Sequence, residues 1–148
     1  MDQQDRTAEQ QVWQRVLACR EEIPKNDLRQ LQREAMELAA AYGMLAARMN
    51  GSQREWIMQL HRGEKANAMA LAGMGYLSRQ RGEQLKLWHP GKEDPQKLLE
   101  RCYHRTRRCM TEYLARSADG EFGVVFDRMA KRAGEHCAMI AELLGSLP

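Results

Sequence analysis

The sequence predicts an all-α protein: a four-helix bundle made of two antiparallel helical hairpins joined by a long crossover. Helix-forming residues dominate the composition, whereas Val, Ile and Thr are scarce. Apolar residues recur at spacings of three and four along four long segments. Short and long connections alternate between these segments, as two hairpins require. The 148 residues suffice for one core, so residues 1–148 are predicted to form a single domain.

A short amphipathic helix is predicted over residues 9–20, ahead of the bundle. Its apolar residues fall on one side of a helix and are Val12, Trp13, Val16 and Leu17. Pro24 ends this segment, because proline lacks a backbone donor and clashes with the preceding helical turn. We expect this short helix to pack on the outside of the bundle.

Helix caps and a short loop predict the first hairpin. Asp27 is a favourable residue for the start of the first long helix, and the Asn-Gly pair at residues 50–51 ends that helix. Ser52 with Glu55 predicts a capping box that begins the second helix, which runs to about Gln80. Because the connection is so short, the two helices should be antiparallel neighbours.

The second hairpin follows a segment that breaks the helical pattern, residues 81–94. Fully extended at about 3.3 Å per residue, this segment could span roughly 45 Å, enough to cross the length of a bundle. Asp94 and Pro95 form an N-cap with proline at the first helical position, and they begin the third helix. A turn at residues 117–120 leads into the fourth helix, which ends near Gly145. The predicted order of directions is therefore up, down, down, up.

The inward stripe of the second helix contains two polar residues where apolar ones are expected. This stripe consists of Ile57, Leu60, Glu64, Asn67, Leu71 and Met74. A buried carboxylate and a buried amide are costly unless other groups satisfy them. Partners for Glu64 and Asn67 should therefore lie on another helix of the bundle.

The two hairpins also correspond to each other, position by position. At a nearly constant offset, the matched pairs are Ala35 with Thr106, Tyr42 with Tyr113, Glu64 with Ala133, and Asn67 with His136. Every one of these positions lies on a predicted inward stripe. Matched tyrosines together with matched inward polar residues indicate an internal repeat.

This pattern resembles the ferritin-like, rubrerythrin-like diiron-carboxylate bundles over about residues 27–145. Residues 60–71 resemble the second helix of that family, and residues 123–144 are similar to its fourth helix. The family places a Glu on the first and third helices and a Glu-x-x-His on the second and fourth. The three-residue spacing presents both side chains of each motif to one metal site.

The resemblance implies six ligand positions, of which two keep their ligand. Ala35 and Thr106 stand where the first and third helices would carry Glu. The second helix keeps Glu64 but has Asn67 in place of His, and the fourth has Ala133 in place of Glu but keeps His136. One carboxylate and one imidazole cannot hold a diiron centre. We therefore expect a degenerate metal site, no cofactor, and a non-enzymatic or accessory protein.

A hydrogen-bonded core is the structural interpretation of these residues. Glu64 and His136 fall at the same level of the predicted bundle, so the carboxylate can accept a hydrogen bond from the imidazole. Asn67 and Thr106 would complete a single network with them.

A residual metal site is the alternative interpretation. Glu64 and His136 would hold one transition metal ion (zinc, copper or iron), with His61, His104 or Cys109 recruited as substitute ligands. The protein would then be a metal-binding, rubrerythrin-like oxidoreductase or stress protein. A third interpretation is a partner-binding helical module.

The expected partners and location follow from composition and from the resemblance. The family analogy implies a homodimer, and Trp88 with the outer helix faces could contact a protein partner. Lys and Arg exceed Asp and Glu by three and are dispersed, so a nucleic-acid surface is not expected. No apolar run is long enough to cross a membrane, and residues 1–6 begin no signal peptide, so we expect a cytoplasmic protein.

Overall fold

A computed structural model of the protein describes residues 27–78, 90, 93–118 and 120–147. These residues form four helices: α1 (Asp27–Ala47), α2 (Gly51–Leu77), α3 (Pro95–Arg116) and α4 (Gly123–Ser146). The described ranges contain no strand, which confirms the all-α prediction. The helix predicted over residues 9–20 and nearly all of the crossover 81–94, including Trp88, lie outside the described residues.

The helices pack as two hairpins side by side. Helix α1 packs along α2, and α3 packs along α4. Between the hairpins, α1 contacts α3 and α2 contacts α4, so the pairs α1/α4 and α2/α3 are diagonal.

The contacts between the hairpins give the direction of each helix. Arg48, just after α1, donates to the carbonyl of Glu93, just before α3. Arg105 in the middle of α3 binds Glu34 in the first half of α1, so α1 and α3 are antiparallel. Gln53, early in α2, donates to Ser146 at the end of α4. Since α2 and α4 are also antiparallel, α2 ends and α3 begins at opposite ends of the bundle.

The predicted helix ends are partly confirmed and partly wrong. Helix α3 begins at Pro95 with Asp94 at its N-cap, as predicted, although the Asp94 side chain makes no capping hydrogen bond. The capping box predicted at Ser52 is wrong, because α2 already begins at Gly51 with Asn50 at the N-cap. Gly51 has a φ of 60°, a left-handed conformation that glycine adopts without the steric cost of a Cβ, and the N-cap therefore lies two residues earlier than predicted.

The end of α2 is also earlier than predicted. The helix ends at Leu77 rather than near Gln80. The backbone N–H of Ser78 and its hydroxyl both donate to the carbonyl of Met74, which closes the last helical turn. The described helices include none that is long and apolar enough to cross a membrane.

The inward stripes predicted from sequence form the core. The first hairpin contributes Leu31, Ala35, Leu38, Tyr42, Leu45, Ile57, Leu60, Leu71 and Met74 from its helices and Met49 from its connection. Helices α3 and α4 contribute Leu99, Cys102, Cys109, Tyr113, Phe126, Met129, Ala133, Ile140 and Leu143. Five polar residues are buried with them: Glu37, Glu64, Asn67, Thr106 and His136. The core between the hairpins is therefore partly polar.

An ion pair network joins α1 to α3 beside this core. Arg105 donates to Glu34 Oε2 from Nε at 3.0 Å and from Nη2 at 2.7 Å, and Nη2 also donates to Glu37 Oε2 at 2.6 Å. The Glu37 carboxylate is buried and relies on this guanidinium for its charge compensation. The network therefore links two helices that belong to different hairpins.

We expect Arg105→Ala to lower the free energy of unfolding by about 2–4 kcal/mol, because it leaves the buried Glu37 carboxylate without its cation. The control is Arg107→Ala on the exposed side of the same helix, which should change it by less than about 0.5 kcal/mol. Denaturant unfolding of both variants measures the difference. Equal effects would show that the network does not stabilise the bundle.

Candidate functional site

The candidate site consists of the six positions that the family resemblance assigns to metal ligands. All six are buried in the core: Ala35, Glu64, Asn67, Thr106, Ala133 and His136. They lie on two pairs of neighbouring helices, because α1 contacts α3 and α2 contacts α4. The prediction that these positions face inward is therefore confirmed, whereas their role as ligands stays a prediction.

Glu64 and His136 contact each other across α2 and α4. The imidazole Nδ1 donates to Glu64 Oε1 at 3.3 Å, and both side chains are almost fully buried. Sequence periodicity predicted this pair. The contact becomes an ion pair whenever the imidazole is protonated, and in either state it supplies each residue with a polar partner inside an apolar core.

A glycine in α2 leaves room for the imidazole of His136. Gly63 precedes Glu64, and a Cβ at Gly63 would overlap the ring atoms Nε2 and Cε1 of His136. The ring therefore lies directly on the backbone of α2. This glycine was not among the predicted site residues, although a glycine next to an inward carboxylate in a long helix was an available signal.

Thr106 contacts Tyr42 across α1 and α3. Its Oγ1 lies 3.0 Å from Tyr42 Oη, and both residues are fully buried. The prediction that Thr106 joins the Glu64 network is therefore wrong, because its hydroxyl is engaged with a tyrosine on the neighbouring helix.

Asn67 likewise does not join Glu64 and His136. Its Oδ1 accepts a hydrogen bond from Arg132 Nη1 at 2.8 Å. Arg132 lies beside the core stripe of α4, one residue before Ala133, and its long side chain reaches the amide from there. The single network predicted for the site is wrong: three separate contacts take its place.

The internal repeat accounts for two buried polar atoms that have no hydrogen-bond partner among the described residues, Tyr113 Oη and Asn67 Nδ2. By the repeat, the contact equivalent to Tyr42–Thr106 joins Tyr113 to Ala35. Alanine offers no hydrogen bond, so the Tyr113 hydroxyl has only the neighbouring Cys109 thiol, a weak partner whose position does not meet hydrogen-bond geometry.

The contact equivalent to Glu64–His136 joins Ala133 to Asn67. Alanine again offers no polar atom. Asn67 turns its oxygen to Arg132 instead, and its amide nitrogen stays unpartnered. In each pair of helices, one polar contact of the repeat is therefore present, and an alanine stands where the equivalent contact would lie.

Glu64 lies at the electrostatic centre of this region. Burial is the main cause that raises the pKa of the Cys102 and Cys109 thiols to about 12, and the nearby Glu64 carboxylate contributes to both shifts. Burial and the same carboxylate also raise the pKa of the Tyr42 and Tyr113 hydroxyls. Without a bound metal, these thiols and phenols are therefore neutral at physiological pH, and the thiols are not activated as nucleophiles.

The three proposed substitute ligands lie in different places. The His61 side chain is hydrogen-bonded to α1, because its Nδ1 donates to the carbonyl of Ala39 at 2.6 Å. His104 is exposed and contacts the ring of Tyr103 edge-on, and Cys109 is a buried thiol. Within the described ranges no three His, Cys, Asp or Glu side chains are grouped so that they could hold a metal ion.

A diiron centre does not fit the donors that are present. Of the six positions, two are alanines, the Thr106 hydroxyl is engaged with Tyr42, and the Asn67 oxygen accepts from the Arg132 guanidinium. A diiron site is held mainly by carboxylates, and here Glu64 is the one carboxylate among the six. The Arg132 cation beside Asn67 adds repulsion toward any divalent ion.

No protein-family model, curated protein or solved structure matches the chain.

The two buried tyrosines should respond differently to loss of their hydroxyls. Tyr42→Phe should cost about 1 kcal/mol of stability, because it breaks the bond to Thr106 and leaves that hydroxyl buried alone. Tyr113→Phe should be neutral or stabilising, since its hydroxyl has no partner to lose. Thermal and denaturant unfolding of the two variants compare them directly. An equal cost for both would contradict the assigned contacts.

Gly63 should be intolerant of a side chain. Gly63→Ala should destabilise the protein by about 1–3 kcal/mol, because the Cβ displaces the His136 ring and separates it from Glu64. The matched control is Gly75→Ala in the same helix, where a Cβ meets nothing within 4 Å. That variant should gain about 0.5–1 kcal/mol from helix propensity. Two variants of similar stability would show that His136 does not lie against Gly63.

Proposed function

We propose that this protein is a ferritin-like bundle in which hydrogen-bonded side chains have replaced the diiron centre, and that it serves as a non-enzymatic, accessory protein. The proposal depends on one observation above all. Each of the four polar side chains at the ligand positions makes a hydrogen bond inside the bundle, Glu64 with His136, Thr106 with Tyr42, and Asn67 with Arg132.

The helix arrangement supports the ferritin-like part of the proposal. Folds of that kind have two antiparallel hairpins and one long crossover between the second and third helices. In this protein α1 is antiparallel to α3 and α2 to α4, so the second connection must run the length of the bundle. The direct contact between Glu64 and His136 is also what two former ligands of one centre would make once the metal is gone.

The charges at the site support the metal-free part of the proposal. A divalent ion needs anionic or neutral donors whose lone pairs are available. Glu64 Oε1 and Asn67 Oδ1 already accept hydrogen bonds, and the second of these comes from the positively charged Arg132. The charge of Arg132, in a part-buried contact with Asn67, also repels any second cation that would bind there.

A single metal ion at Glu64 and His136 is the second candidate. It is favoured by one observation: Glu64 Oε2 is buried and has no hydrogen-bond partner among the described residues. With the imidazole of His136 it would give two donors, fewer than structural or catalytic zinc sites use. An oxidoreductase or stress protein would follow from this candidate.

Metal content separates the two candidates. We expect protein purified without chelator to contain only substoichiometric transition metal by elemental analysis, and its melting temperature to stay unchanged when zinc, copper or ferrous iron is added. Glu64→Gln should lower stability by less than about 1 kcal/mol, because the amide oxygen can still accept the bond from His136.

The opposite result is equally specific. One equivalent of a transition metal per chain, lost in both Glu64→Gln and His136→Ala, would overturn the metal-free proposal and establish the second candidate. The control is Glu112→Gln, which alters an exposed carboxylate of α3 and should leave metal content as it is in the wild type.

A further inference from the structure

Helix α2 has a second apolar stripe on its outer side, away from the core. This outer stripe consists of Ala66, Met69, Gly73 and Tyr76, at spacings of three, four and three residues. All four are exposed, with Tyr76 at 81% and Met69 at 75%. The spacing matches one face of a helix, so the residues form a continuous surface about three turns long.

The composition of this part of α2 sets it apart from an ordinary solvated face. No charged residue occurs from Ala66 to the end of the helix at Leu77, and Lys65 is the last one before it. Leu77 is itself 68% exposed. A helix with apolar residues on both its inner and outer sides is typical of one that is covered on both sides.

We propose that residues 9–20 of the same chain dock on this outer stripe as an amphipathic helix, with Trp13 over the bare backbone at Gly73. As a helix, the segment would carry its apolar residues on one side, and an apolar surface is needed to bury them. Its twelve residues would form a helix about 18 Å long, the same length as the twelve residues of α2 from Ala66 to Leu77. A Cβ at Gly73 would meet nothing within 4 Å, so an aromatic ring can approach the backbone there.

The position at which the N-terminal segment joins the bundle supports this occupant. The bond from His61 Nδ1 to the carbonyl of Ala39 sets the register of the antiparallel pair α1 and α2. Asp27, the first residue of α1, precedes Ala39 by twelve residues, and Gly73 follows His61 by twelve residues. Because the helices are antiparallel, Asp27 lies level with Gly73, in the middle of the outer stripe. Residues 21–26 can span about 20 Å at 3.3 Å per residue, enough to bring residues 9–20 back along α2.

The size of the outer stripe favours a tethered segment over a second copy of the chain. A stable dimer interface buries about 800 Å² on each partner, and three turns of one helix face offer much less. A segment held by a six-residue linker has an effective concentration in the millimolar range, so a small apolar contact is sufficient.

Limited proteolysis of the full chain tests the proposal. Trypsin cuts after Arg15 and Arg20 in the segment, and docking should protect both bonds. Tyr76→Glu and Met69→Glu, alone or together, should raise the rate of cleavage at these bonds about tenfold or more, because they increase the undocked population. Trp13→Ser should have the same effect. Leu114→Glu is the control: it adds the same charge at an exposed apolar residue of α3, diagonal to α2, and should leave the rate unchanged.

Two outcomes would overturn the proposal. The first is cleavage of the wild type at Arg15 and Arg20 as fast as in Tyr76→Glu, since the segment is then not held on the stripe. The second is a wild type that sediments as a dimer and becomes monomeric in Tyr76→Glu without any change in cleavage, since a second copy then covers the stripe. Circular dichroism of each variant verifies that the bundle remains folded.

Discussion

The hydrogen bond between Glu64 and His136 is the contact on which the arrangement of the two hairpins most depends. It is buried between α2 and α4, where either group alone would cost several kcal/mol. Apolar stripes by themselves tolerate a slip of one heptad between helices. Such a slip would place Glu64 against apolar side chains and the imidazole of His136 against a residue larger than Gly63. The polar pair therefore stabilises one register and penalises the others.

The same requirement applies to the other buried polar groups between α1 and α3. Tyr42 and Thr106 satisfy each other between α1 and α3, and Arg105 compensates the carboxylates of Glu34 and Glu37 beside them. Where an alanine stands at the equivalent position, as at Ala35, the tyrosine hydroxyl of Tyr113 is buried without a hydrogen bond. Such unpartnered atoms reduce the stability of the core, and they mark the positions where the two halves of the repeat differ.

Two arginines give the region its present electrostatic character. Arg132 brings a positive charge to the amide of Asn67, and Arg105 brings another to the carboxylates of α1. A cation-binding centre and a guanidinium compete for the same oxygen lone pairs. At Asn67 the guanidinium of Arg132 binds the amide oxygen that a metal ion at this position would need.

The sequence by itself determined the helices, their inward faces and the meeting of Glu64 with His136. Periodicity of three and four identifies a buried face, and equal levels on two such faces bring side chains together. The tertiary structure alone decided the partners of Asn67 and Thr106. Arg132 lies beside the core stripe of α4 and reaches the core only through its long, flexible side chain. Sequence periodicity predicts the face of a helix on which a residue lies, but not how far its side chain extends. The role of Gly63 was decided in the same way, since a missing side chain matters only once the His136 ring lies against it.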